Sequence, residues 1–251
     1  INFTNFIPSA SLNFNPKQQR KLRFNYNGNT VNPTLLQIQP ILDNTDPLNI
    51  LVGNPELQQA FTNKFTFNIG DYKVLKSRSI NLWVDYGNTN NAITSSSEID
   101  ANGRRISKYV NVDGNFNYSI NASYGLDVYK GVNMNFRFGK RFNRYNNIVN
   151  NTKNTNDNNS MDYAIGLNYW SDTWFNFYFQ INAANNQSTS TIRPNITTNY
   201  WSYSSYGNFN FKFKKAKTYL SFENEFNIYQ KSVAFPDQRN IYLVSPSIRK
   251  V

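Results

Sequence analysis

Residues 116–128 alternate without a break. Phe116, Tyr118, Ile120, Ala122, Tyr124, Leu126 and Val128 fall on one side of an extended chain. Asn117, Ser119, Asn121, Ser123, Gly125 and Asp127 fall on the other. A period of two is the mark of a strand with one apolar and one polar face. The same register runs through 80–86, 132–138, 163–169, 175–183, 209–213 and 220–228, and more weakly through 7–14, 21–27, 59–70 and 240–249. The pattern predicts about eleven strands and no helix.

The connections are unequal. Short turns are expected near 15–20, 71–77, 128–131, 171–174 and 214–217, and longer links near 28–58, 88–103, 149–160 and 189–199. A further connection near 235–239 is shorter than this alternation predicts. The link 149–160, VNNTKNTNDNNS, has the low complexity of a mobile loop. Short turns at one end and long links at the other describe an up-and-down meander whose two ends meet different surroundings.

Strand length separates two architectures. Strands of a soluble β-sandwich run to about 5–6 residues. A tilted strand crossing a bilayer needs about 9–11, alternates apolar-out and polar-in, and carries aromatic girdles at both interfaces. The thirteen-residue register at 116–128 favours the second, an all-β, transmembrane up-and-down antiparallel β-barrel. Tyr169, Trp170 and Trp174 beside a short turn, and Tyr200, Trp201 and Tyr203 after a long link, are the candidate girdle residues.

Composition narrows the chemistry. The chain has 45 asparagines, a mean hydropathy of −0.63, and neither cysteine nor histidine. The missing residue types remove thiolate and imidazole metal sites and triad catalysis. The chain reads as a non-enzyme, and no cofactor is expected. The net charge of +11 is spread over clusters at 15–23, 72–78, 139–144 and 212–217, most plainly read as solvated turn residues. Nothing in them matches a nucleic-acid-binding motif.

One stretch breaks the period. In 32–72, Pro33, Leu36-Gln37-Ile38-Gln39-Pro40, Asp46-Pro47 and Gly53-Asn54-Pro55-Glu56-Leu57 resemble a signature of the TonB-dependent receptor superfamily, nearest to its Bacteroidota-type outer-membrane β-barrel family. The segments 109–128 and 245–250 are similar in style. The resemblance implies a 22-stranded barrel closed by a plug and energised through TonB, importing a metal chelate, cofactor, glycan or peptide. On this reading residues 1–251 are a C-terminal-half portion of the barrel, with an irregular loop at 28–58. Plug, TonB box and barrel ends lie outside these residues. Segment 43–58 is expected as an irregular connection, not a strand, packing Leu48, Ile50, Leu51 and Val52 on the wall or plug. Expected partners are outer-membrane lipid and lipopolysaccharide, TonB through the regions outside, and a surface lipoprotein or other outer-membrane subunit.

Two other functions fit the same pattern: a structural or secretion-associated barrel without TonB coupling, and a soluble glycan-binding sandwich. Glu223 and Glu225 share a polar face, and the plainer reading pairs them with arginine or lysine on neighbouring strands. Glu98 and Asp100 read as loop carboxylates. Lys140, Arg141 and Arg144 are expected either at a lipopolysaccharide-facing rim or in the lumen, with equal weight.

Overall fold

A computed structural model describes residues 6–73, 77–171, 174–231, 237 and 240–250, with residues 43 and 44 by backbone alone. In chain order its strands are β1 (Ser9–Lys17), β2 (Arg20–Val31), β3 (Leu42–Asp46), β4 (Asn49–Val52), β5 (Ala60–Lys73), β6 (Arg78–Asn90), β7 (Ala92–Ile99) and β8 (Arg105–Val112). There follow β9 (Asn115–Tyr129), β10 (Val132–Val149), β11 (Thr152–Tyr169), β12 (Phe175–Ser190), β13 (Thr198–Phe213), β14 (Thr218–Tyr229) and β15 (Ile241–Lys250). One short helix, α1 (Leu35–Ile38), lies between β2 and β3.

Eleven of the strands form a continuous antiparallel wall, β1-β2-β5-β6-β9-β10-β11-β12-β13-β14-β15. They are the eleven that the alternation predicts. The sheet is open, with β1 at one edge and β15 at the other. The longest wall strands, β10 and β11, have 18 residues each, well beyond the ~9–11 of a bilayer crossing.

The other four strands form a cap on the long-link end. β3 and β4 make a hairpin, β4 runs parallel to β8, β8 pairs β7, and β7 runs parallel to the far end of β10 at Ile148 and Val149. There β10 has outrun β9, whose last partner is Phe116 opposite Arg144. The two longest connections are thereby joined to one another and to the wall.

Burial follows from this plan. A single-layer wall encloses no core of its own. The buried apolar side chains among the described residues are Ile50, Leu57, Ala60 and Ala92, all in or beside the cap. Thr94, Ser96, Ser97, Asn146 and Asn154 are buried at the same end.

Several expectations are corrected. Residues 28–58 are not one irregular loop: β2 runs on to Val31, and α1, β3 and β4 follow. Segment 43–58, expected to be too irregular for a strand, contains a β-hairpin. Residues 88–103 hold the end of β6 and all of β7. The supposed mobile loop 149–160 is a two-residue turn at Asn150-Asn151 followed by β11, paired residue for residue with β10. Link 189–199 shrinks to the segment between Ser190 and Thr198. The errors along the wall strands, at 28–31, 88–90, 149–160 and 189–199, share one cause. Beyond the apolar belt both faces of a strand become polar, so the alternation vanishes while the pairing continues. The connection near 235–239 lies largely outside the described residues, as do parts of the turns at 71–77 and 171–174.

Candidate functional site

Register sorts the wall into two faces. Leu82, Ala122, Phe138, Tyr163, Ala183 and Tyr203 form one row across six strands of the apolar face. Many side chains on this face are half exposed, including Ile165 at 50%, Ile181 at 53% and Phe222 at 48%. So continuous an apolar surface needs an apolar surrounding.

Aromatic side chains edge this face at both ends. Toward the long links, Tyr26, Phe65, Tyr86, Tyr118 and Phe142 occupy a single row over five strands. Their rings are linked through Phe116: Tyr26–Phe65 at 4.8 Å, Phe65–Tyr86 at 6.1 Å, Tyr86–Phe116 at 6.3 Å, Phe116–Phe142 at 5.4 Å and Tyr118–Phe142 at 5.4 Å. The Arg144 guanidinium lies over Phe116 and Phe142 at 5.4 and 5.8 Å, and donates twice to Asp157 at 2.7 and 2.6 Å. Toward the short turns, Tyr169, Trp174, Phe175, Phe177, Phe209 and Phe211 cluster, the closest pair being Phe175–Phe211 at 4.9 Å. Rings with a polar edge favour the headgroup level.

The six girdle candidates divide. Tyr169 and Trp174 belong to the short-turn cluster. Trp201 and Tyr203 stack at 6.2 Å and 10° on the apolar face. Tyr200 pairs with Asn186 on the polar face. Trp170 lies beneath Lys212, Nζ 5.7 Å from its ring, in a recess with the polar-face residues Asn210 and Ser221. The row from Tyr26 to Phe142 was missed because its members are scattered one per strand. The signal that would find it is register, which a linear reading lacks.

The polar face is a hydrogen-bonded lattice. Asp85 accepts from Thr66 Oγ1 at 2.8 Å, Ser119 Oγ at 3.3 Å and the Trp83 indole. Arg137 donates to the Gln180 side chain, and Asn182 Nδ2 donates to Ser204 at 3.1 Å. Glu223 accepts from Asn208 at 2.9 Å and Glu225 from Asn227 at 2.7 Å. These carboxylates are not balanced by arginine or lysine among the described residues; asparagine amides take that place. The basic cluster 139–144 splits by parity. Lys140 and Arg144 stand on the apolar face, and Arg141 on the polar face.

The signature segment is clamped. Asp46 accepts from the Leu48 N–H at 2.9 Å and from Asn49 Nδ2 at 2.8 Å, closing the β3–β4 turn around Pro47. Both bonds hold its carboxyl below the ordinary range, the Asn49 bond more strongly. Pro33 and Pro40 bracket α1, where Gln37 Oε1 accepts from the Thr34 N–H at 2.9 Å. Gly53 passes so close to Gln39 that an added Cβ would lie 1.8 Å from its carbonyl oxygen. Asn54 donates from its backbone to Gln37 O at 2.6 Å and from its side chain to Tyr109 O at 2.8 Å. Pro55 opens a turn in which Leu57 N donates back to Asn54 O at 3.3 Å. Leu57 and Ile50 are buried, Leu51 and Val52 half-buried, and Leu48 exposed.

No curated protein and no solved structure matches this chain. A family model matches residues 1–152, from β1 through the cap to the first residue of β11. That is more than half of the 251 residues. Long antiparallel strands, a two-faced wall and aromatic edges agree with the match, and the chain belongs to the outer membrane protein beta-barrel family.

Proposed function

We propose that this chain is a membrane-crossing wall portion of a TonB-dependent nutrient transporter, spanning the bilayer many times. Its polar face lines the passage and its cap stands on the extracellular side. The observation that carries the reading is the segment from Pro33 to Leu57. The residues that resemble the receptor signature are those that clamp the connection: Gly53 against Gln39, Asn54 to Gln37 and Tyr109, Asp46 around Pro47. The polar face supports a wet passage, because its amides and carboxylates are satisfied sideways and still present unused donors and acceptors. On this reading the chain carries no catalytic step. The cargo is a scarce metal chelate, cofactor, glycan or peptide.

The test is uptake by the native cell. Deleting the gene should abolish growth on one scarce nutrient, and disabling TonB should reproduce that loss. Uptake that survives loss of TonB, or secretion defects without uptake defects, would instead support a structural or secretion-associated barrel.

A further inference from the structure

The apolar face is not uniformly filled. In the row from Leu82 to Tyr203, alanines stand at 122 and 183 where larger side chains flank them. They leave an open cleft of about 730 Å³, lined by Leu82, Ala122, Phe138, Tyr163, Ile165 and Ala183 among others. One step along β10 from Phe138, about 7 Å toward the cap, Lys140 stands on the same face between Ile120 and Met161. Its Nζ donates to the Asn159 side chain. Among the described residues no carboxylate lies within ion-pair distance of it, whereas Arg20 and Arg144 on that face are paired with Asp71 and Asp157. An unpaired ammonium at the edge of an apolar belt calls for an anion at headgroup level.

We infer that Lys140 and this cleft form a binding site for one phosphorylated glycolipid of the outer leaflet. The phosphate sits on Lys140 Nζ and an acyl chain lies in the cleft over Ala122. The long-link end of a barrel faces the cell exterior, and Lys140 lies at that edge of the belt, which selects the outer leaflet. The inference rests on the membrane-crossing reading and its orientation, but not on transport.

The test uses the full-length protein extracted from the outer membrane in detergent and stripped of lipid. It is titrated with diphosphorylated lipid A, and adducts are counted by native mass spectrometry. One saturable adduct is expected, not displaced by inorganic phosphate. Lys140→Gln should weaken it about fivefold, and Lys140→Arg should retain it. Ala122→Phe, which fills the cleft and keeps the charge, should also weaken it. Equal binding by wild type and Lys140→Gln would overturn the site. So would equal adducts with phosphatidylcholine or phosphatidylglycerol, or full displacement by free phosphate. Absence of the protein from the outer membrane would instead refute the membrane reading, before any lipid is added.

Discussion

Asn146 is 1% exposed, yet its polar groups are satisfied. Its Nδ2 donates to Asn115 Oδ1 at 2.8 Å and to Asp113 O at 3.3 Å, and its Oδ1 accepts from Thr155 at 2.7 Å. Asn154 is held as fully by Asn147, Asn156, Ser190, Thr191 and Ile192. Asparagine here ties together the long-link ends of the wall strands β9 to β12. Asn146→Leu should strand the Asn115 and Thr155 side chains and destabilise the protein by about 2–3 kcal/mol, read as a lower urea midpoint in detergent. Gly53→Ala should break the Gln39 contact and open 32–59 to limited proteolysis while the wall strands stay protected. Asp100 gives a pH signature. Bonds from the Arg104 backbone, and secondarily the Arg104 side chain and the Asn102 backbone, lower its pKa. A lowered folded value means the contribution is complete above the unfolded value of about 4 and is lost as pH falls through the folded value. Nuclear magnetic resonance should show the carboxyl titrating below the ordinary range, and Asp100→Asn should remove the acid loosening of the 100–105 turn.

At the scale of single elements, the two faces make opposite predictions for neighbouring residues. Ile165 is on the apolar face, opposite Phe136 and Ile181. Ala164 is on the polar face, opposite Arg137 and Asn182. Ile165→Arg should cost about 2–4 kcal/mol in lipid, seen as lost outer-membrane assembly. Ala164→Arg should leave assembly near wild type. The β10–β11 turn is a second such case. Asn150 and Asn151 have φ of +47° and +59°, the arrangement of a type I′ hairpin that Asn and Gly tolerate. The low complexity of 149–160 suggests a mobile loop, whereas Asn150-Asn151 is turn chemistry between two paired strands. The strands within the belt were legible because lipid imposes the period of two. Their continuations were not, because water on both faces imposes none. Likewise α1 is a single turn, bracketed by Pro33 and Pro40, too short for any helical period to show.

For the molecule as a whole, the open edges matter most. Among the described residues, β1 and β15 each present an unpaired row of backbone groups, which hydrocarbon does not tolerate. In the membrane both must be paired, with each other or with further strands. Hydrogen exchange on the embedded protein should therefore find amides of β1 and β15 protected like those of β9 and β10. Rapid exchange along either edge would place it outside the bilayer. The wall's strand count and sidedness were readable from alternation alone. The cap was not, because β4 with β8 and β7 with β10 are parallel pairings between distant segments, and no local pattern announces them.

Those pairings set an order of assembly. Wall strands mostly meet close neighbours in sequence, whereas β4 must find β8 with Asn49 opposite Arg105. Contacts that far apart along the chain form late. The cap closes only after β5, β6 and both long connections have emerged, so the long-link end should be the last part of this wall to become resistant to protease.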